Sequence, residues 1–339
     1  MKAIVVEGQF GVENLRVVER DEPRVGPGQV SVQMRAVSLN YRDLLMIRGH
    51  YNPRQPLPLI PCSDGVGEVV EVGQGVERVS VGDRVAPIFA QGWMSGAPDR
   101  AALRTTLGGP LDGVLCERRV LDAEGVVKVP AHLSDEEAAC LPCAAVTAWS
   151  ALVELGGISP GQVVLVQGTG GVSIFALQIA RAAGARVIVT SSSDEKLARA
   201  MMMGASAGIN YASEPAWGKA AADLAGGDGV DLVVEVGGAG TLEQSLKAVR
   251  PGGTIAMIGI LSGGASKINI VPVLMQQIRV QGVIVGPRAA FERMNAAFEL
   301  HAIKPVIDSV FEFEEAPEAL ARMASGGHFG KIVVRLGRG

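Results

Sequence analysis

Between Gly161 and Tyr211 the chain runs through an apolar strand, a glycine turn, an apolar helix and a second apolar strand, an order that leaves little choice of fold for this half. Val163-Val164-Leu165-Val166 leads into Gly168-Thr169-Gly170-Gly171-Val172-Ser173. A segment to Ala183 follows in which only Ser173, Gln178 and Arg181 are polar, then Val187-Ile188-Val189-Thr190. A βαβ unit of this kind holds dinucleotides. The pyrophosphate rests on the helix N-terminus, where N–H groups and the positive end of the macrodipole favour it, provided that no Cβ blocks the approach. Gly168 permits the tight turn and Gly170 the close approach. The third position of the G-x-G-x-x-G pattern is Ser173, a departure at a site that mainly asks for a small residue.

Coenzyme choice is decided at the end of the second strand. NAD enzymes usually carry an acid about 20 residues past the first glycine, and Ser191-Ser192-Ser193 stands there instead. Ser192 and Glu195 have capping-box spacing, which puts the nearest acid, Asp194, in the first turn of the next helix. With Lys196 following, the hydroxyls of Ser191 and Ser192 suit a 2′-phosphate dianion. The expectation is NADP(H).

At 339 residues the chain fits two domains. Its net charge of −4 offers no basic face for nucleic acid or membrane phosphates. Glycine makes up 44 of the 339 residues without a collagen-like period, which calls for many tight turns. The best membrane-spanning candidate, Ala138 to Val153, is too short and contains Pro142. Met1 to Phe10 lacks the basic start and long apolar core of a signal peptide, so the expected location is cytoplasmic. Cys140-Leu-Pro-Cys143 matches C-x-x-C, yet lies among alanines away from any thioredoxin-like pattern, which favours packing thiols. The four histidines have no zinc spacing.

Residues 1 to about 127 alternate as antiparallel strands, for example Val30, Val32, Met34 and Ala36 against Ser31, Gln33 and Arg35. A short helix interrupts them at Asn40-Tyr41-Arg42-Asp43-Leu44-Leu45-Met46, with a possible pairing of Arg42 with Asp43. Residues 91–113, rich in Gly, Ala and Pro, predict a long surface excursion. Beyond Ser134 the period turns helical, with a long helix after Pro142. Further strands end at Gly237-Gly238, Gly259 and Gly286, in step with the phosphate loop, and this spacing predicts a parallel, doubly wound sheet with a coenzyme floor at its carboxyl edge. Val280 to Val285 is an apolar last strand; at a sheet edge it would pair with its copy, which predicts a homodimer.

Asp64-Gly-Val-Gly67, Gly82-Asp83-Arg84-Val85 and Gly168-x-Gly170-Gly171-Val172 together make the chain similar, over essentially its whole length, to the medium-chain dehydrogenase/reductases. The resemblance implies an α/β protein with a GroES-like, β-rich catalytic domain at 1–144 and 286–339 and a Rossmann domain at 145–285. It is strongest to the zinc-free quinone oxidoreductases and related NADPH-dependent enone reductases. There the motif glycines, matching Gly168, Gly170 and Gly171, with a lysine matching Lys196 and a tyrosine matching Tyr211, hold NADPH, and the loop of Phe329 resembles one that places an aromatic near the nicotinamide; Thr169, Val172, Gly237, Gly259 and Lys331 are further expected coenzyme contacts. Against the zinc alcohol dehydrogenases, the catalytic ligands fall at Asn40, Ser63 and Cys143, with Asp64 beside them, and the structural zinc lobe is missing from 91–113. No metal is therefore expected. Without one, hydride transfer favours a quinone or an α,β-unsaturated carbonyl, with Asn40, Tyr41 and Tyr51 as donors to the developing oxyanion. The enone reductases' other pocket tyrosine falls at Leu45, which leaves the substrate open. Zinc-independent alcohol or aldehyde oxidoreduction and a non-catalytic NADPH-binding role are the alternatives.

Overall fold

The computed structural model describes residues 1–337. The chain divides into two compact units, Met1–Val146 with Gly286–Gly339, and Thr147–Val285.

The first unit is built on a seven-strand sheet in the order Ile307–Glu312, Lys331–Arg335, Gln29–Ser38, Asp64–Val72, Arg84–Pro87 and Val126–Lys128, with Arg118–Asp122 also paired to Gln29–Ser38. Every pairing is antiparallel except that of Ile307–Glu312 with Lys331–Arg335. The alternation at 30–36 puts Val30, Val32, Met34 and Ala36 into the core with no exposure. Leu44, Ile47 and Ile60 close over the same core. The helix entered at Asn40 spans Tyr41–Ile47. The expected surface excursion at 91–113 holds only in part, because Thr106, Leu107, Gly108 and Gly109 are buried. The reason is Arg42, whose guanidinium draws in the carbonyls of Leu107 (2.8 Å) and Gly109 and the Thr106 hydroxyl (3.2 Å). Arg42 is thus committed to this segment and not to Asp43.

In the second unit six parallel strands run in the order Ala207–Asn210, Arg186–Ser191, Val163–Gln167, Val230–Glu235, Val249–Met257 and Arg279–Gly282. The central strands are buried on both faces, as continuous Val/Ile/Leu runs require. Sheet pairing of the last strand ends at Gly282, short of the expected Val285. Arg279–Gly282 is an edge strand. No described helix is long and apolar enough to cross a membrane.

Candidate functional site

In the second unit, the strand Val163–Gln167 ends at Gly168, whose φ is +70°, and Gly170 caps the helix Gly171–Ala182. A Cβ built on either glycine meets nothing within 4 Å. Side chains there would enter the space in which phosphates come against the helix N–H groups, so this loop fits a dinucleotide. Ser173 is buried and donates to Gln167 O at 2.6 Å, which ties the first helical turn to the strand end. This bond is the physical reason for the departure from a third glycine.

Gly237 and Gly259 are bare for another reason. A Cβ on Gly237 would lie 2.3 Å from Thr241 Oγ1, and one on Gly259 would lie 2.4 Å from Val236 O. Packing of loop against loop leaves no room for a Cβ at either position.

Beyond the strand Arg186–Ser191, the helix Asp194–Met202 is capped by Ser193, not by Ser192 as the spacing predicts; Ser193 Oγ accepts from the Lys196 N–H at 3.3 Å. Ser191 is buried and its Oγ accepts from the Ser193 N–H, so it supports the turn. Ser192 is exposed. Asp194 is engaged by Asn210 Nδ2 at 2.7 Å, and the Tyr211 N–H donates to Ser191 O, leaving the phenol at the surface. Ser192 and the Tyr211 phenol are exposed at this turn, with Lys196 half-buried beside them.

In the first unit a polar cluster lies beneath the helix Tyr41–Ile47. Lys331, 3% exposed, donates from Nζ to Leu39 O and to Asn40 Oδ1, each at 2.6 Å. Expected among the coenzyme ligands, it has two of its three N–H donors engaged within this cluster. Asp43 accepts from the Asn40 N–H at 2.8 Å, and its other oxygen is buried without a hydrogen bond. Asp64, fully buried, accepts from Ser63 Oγ at 2.6 Å and from the Cys143 N–H at 2.9 Å. Burial pushes the Asp64 carboxyl up, opposed by the Lys331 ammonium and the Ser63 hydroxyl. Tyr41 and Tyr51 are 42% and 49% exposed. The Arg42 guanidinium lies 5.1 Å from the Tyr51 ring centre and 4.8 Å from that of Phe89, which fixes the Tyr51 ring on a cation. Phe329 is buried in this unit, with its N–H donating to Asp308 Oδ1.

Residues 26–131 match the model of the alcohol dehydrogenase GroES-like domain and residues 171–300 that of the zinc-binding dehydrogenases. The chain belongs to the medium-chain dehydrogenase/reductase superfamily. It is 41% identical to a zinc-type alcohol dehydrogenase-like protein of Schizosaccharomyces pombe, covering 99% of each chain. It is 32% identical to the acryloyl-coenzyme A reductase of Metallosphaera sedula, covering 98% of this chain and 99% of that protein. The solved structure of an NAD-dependent alcohol dehydrogenase superposes with a TM-score of 0.91 at 35% identity, over 99% of this chain and 100% of the other.

Whether a medium-chain dehydrogenase/reductase can hold zinc depends on its donors. At the positions that the resemblance assigns to ligands, Asn40 Oδ1 is taken by an ammonium and the Ser63 hydroxyl donates to Asp64. The Cys143 thiol is pushed up by desolvation and by the Asp64 charge. Among the described residues no three of His, Cys, Asp and Glu are grouped to hold a metal. The donor set does not fit a zinc ion.

Asp43 gives the cluster a pH signature. Burial raises its pKa from 3.8 to about 6, against the pull of Arg42. A raised carboxyl stabilises the fold fully below its unfolded value and loses that contribution as pH climbs through 6. Two units correspond to about 3 kcal/mol. Urea denaturation of the wild type and of Asp43→Asn across pH 4 to 7 should show the wild type losing about this much relative to the variant.

Proposed function

We propose that this oxidoreductase is an NADPH-dependent reductase of quinones or α,β-unsaturated carbonyl compounds that works without a metal ion. The observation that carries the reading is the ammonium of Lys331 seated on Asn40, where zinc chemistry would need a ligand. A reduced nicotinamide, when bound, supplies a hydride from its C4. With no Lewis acid, the acceptor must already be electrophilic, as the β-carbon of an enone or a quinone ring carbon is. Negative charge then grows on the carbonyl oxygen, and water supplies the proton that completes the reduction. The Tyr51 hydroxyl and the Asn40 carboxamide are the donors assigned to that oxygen, with Tyr41 beside them at the helix start. Lys331 holds Asn40 by its oxygen and so fixes which end of the amide is a donor. The name of the Metallosphaera sedula relative is itself that of a reduction of an α,β-unsaturated carbonyl, which supports the class.

NADPH preference rests on Ser192, Lys196 and Tyr211, with the nearest carboxylate, Asp194, engaged by Asn210. Higher kcat/KM with NADH than with NADPH would overturn that assignment. A panel of quinones, enones and alcohols, followed by coenzyme absorbance, tests the substrate class. The alcohol dehydrogenase names among the relatives favour alcohol–aldehyde oxidoreduction as the second reading, and turnover confined to alcohols would select it. Tight NADPH binding with no turnover on any substrate would mark a non-catalytic binding protein. Tyr51→Phe is expected to lower kcat by about 10- to 100-fold with the coenzyme Kd unchanged, since one oxyanion donor is worth on the order of that factor or more. Elemental analysis of the purified protein should find no stoichiometric zinc.

Self-association is assigned to the edge strand Arg279–Gly282. Val280 and Ile284 are about 40% exposed and Leu274 and Met275 over 70%, an apolar surface beside unpaired backbone. Light scattering at micromolar concentration should report a dimer.

A further inference from the structure

Glu235 ends a strand that is otherwise apolar, Val230–Glu235, and its side chain is fully buried. No ion pair with it occurs among the described residues. Its carboxylate is instead enclosed by neutral donors. Oε1 accepts from the Gly237 N–H (2.8 Å), the Gly238 N–H (2.9 Å) and Thr241 Oγ1 (2.5 Å); Oε2 accepts from Gln167 Nε2 (2.7 Å) and Ser245 Oγ. Gln167 turns its amide oxygen to the N–H groups of Val236 and Gly237 and its backbone oxygen to Ser173 Oγ. A single carboxylate therefore joins the loop after its own strand to the residue that precedes Gly168, and through Gln167 to the first turn of the helix Gly171–Ala182. A buried acidic side chain with five donors on its two oxygens has its polar atoms satisfied, and so many directional bonds make it a rigid fixture.

We infer that Glu235 is a positioning residue for the coenzyme: acting through Gln167, it sets the phosphate loop against the helix end. The inference rests on the reading of the glycine loop as a nicotinamide-coenzyme site and adds a determinant that touches no ligand. Two adjacent N–H groups in a turn with Gly238 at φ +85° form a concavity suited to an anion. Here that concavity is filled by the protein's own carboxylate, so the loop is fixed before any coenzyme arrives. Lowered coenzyme affinity with intact turnover is the signature of such a role, because preorganisation affects binding more than the chemical step.

The test is Glu235→Gln, whose single amide oxygen cannot accept from both sides of the network. Coenzyme affinity of wild type and variant is measured by fluorescence titration with NADPH and with NADH, kcat is measured at saturating coenzyme, and unfolding is followed in urea. The expected result is a Kd raised tenfold or more for the preferred coenzyme, with kcat within threefold of wild type. A folded variant with Kd within threefold of wild type overturns the inference, as does a loss shared equally by kcat. Should Glu235→Gln not fold, Thr241→Val and Ser245→Ala each remove one donor and leave four; a two- to fivefold rise in Kd is expected, and an unchanged Kd in both overturns it. A wild type that binds neither coenzyme defeats the coenzyme reading itself, an outcome distinct from these.

Discussion

Gly170→Val is expected to abolish most coenzyme binding while leaving the protein folded. The backbone of Gly170 is extended, φ −78° and ψ −176°, a region that valine adopts without strain, and its Cβ would meet no protein atom within 4 Å. The added methyl groups instead enter the space assigned to the pyrophosphate. Hydrogen bonds to a charged group are worth about 1.5–3 kcal/mol each, and 1.4 kcal/mol is about a factor of ten. Losing two of them predicts a Kd raised on the order of a hundredfold or more, read by coenzyme fluorescence, with an unchanged melting temperature. Gly168→Ala is the contrasting case: at φ +70° a Cβ costs about 1 kcal/mol of stability. A folded Gly170→Val that still binds coenzyme as wild type does would remove the basis for placing the phosphates at this loop.

Lys331→Met should produce the largest loss of stability. The ammonium is one of two cations acting on Asp43 and is the leading charge acting on Asp64, and all three side chains are buried. Among the described residues Lys331 forms no ion pair with either carboxylate, yet its charge acts on both, and leaving buried charge less compensated costs on the order of a few kcal/mol. The sign with pH follows. Without the lysine, which lowers the pKa of both carboxyls, Asp43 titrates above its wild-type value of about 6; the penalty is greatest where the carboxyls are ionised and shrinks as they take up protons at lower pH. Urea denaturation at pH 7.5 and pH 4.5 separates this from a simple packing defect, whose cost does not vary with pH. Turnover should also fall, since Asn40 loses the bond that orients its amide, while the coenzyme Kd should stay within a few-fold. A large rise in Kd would instead return Lys331 to the coenzyme ligands.

Three features of the chain show why some parts of the site were legible in the sequence and others were not. The phosphate loop was legible because glycine spacing, the strand before it and the helix after it are all local, and local geometry alone makes the anion site. Ser192 was the expected helix cap because its spacing to Glu195 is that of a capping box, yet Ser193 takes the role once Ser191 is drawn into the turn. Glu235 carried only one signal, a charge in an apolar strand; its partners Gln167, Thr241 and Ser245 come from three segments and no spacing rule connects them.

By itself the sequence determined the α/β class, the βαβ unit with its open glycines, the β-rich remainder and the superfamily, because periodicity and turn chemistry are properties of consecutive residues. Only the tertiary structure decided that Lys331 sits on Asn40, 291 positions away, that Arg42 bonds the segment 106–109 rather than Asp43, and that loop packing leaves no room for a Cβ at Gly237 and Gly259. The physical reason is that burial and charge compensation depend on which distant side chains share one dry volume, and that sharing is set by the packed sheet rather than by the order of residues along the chain.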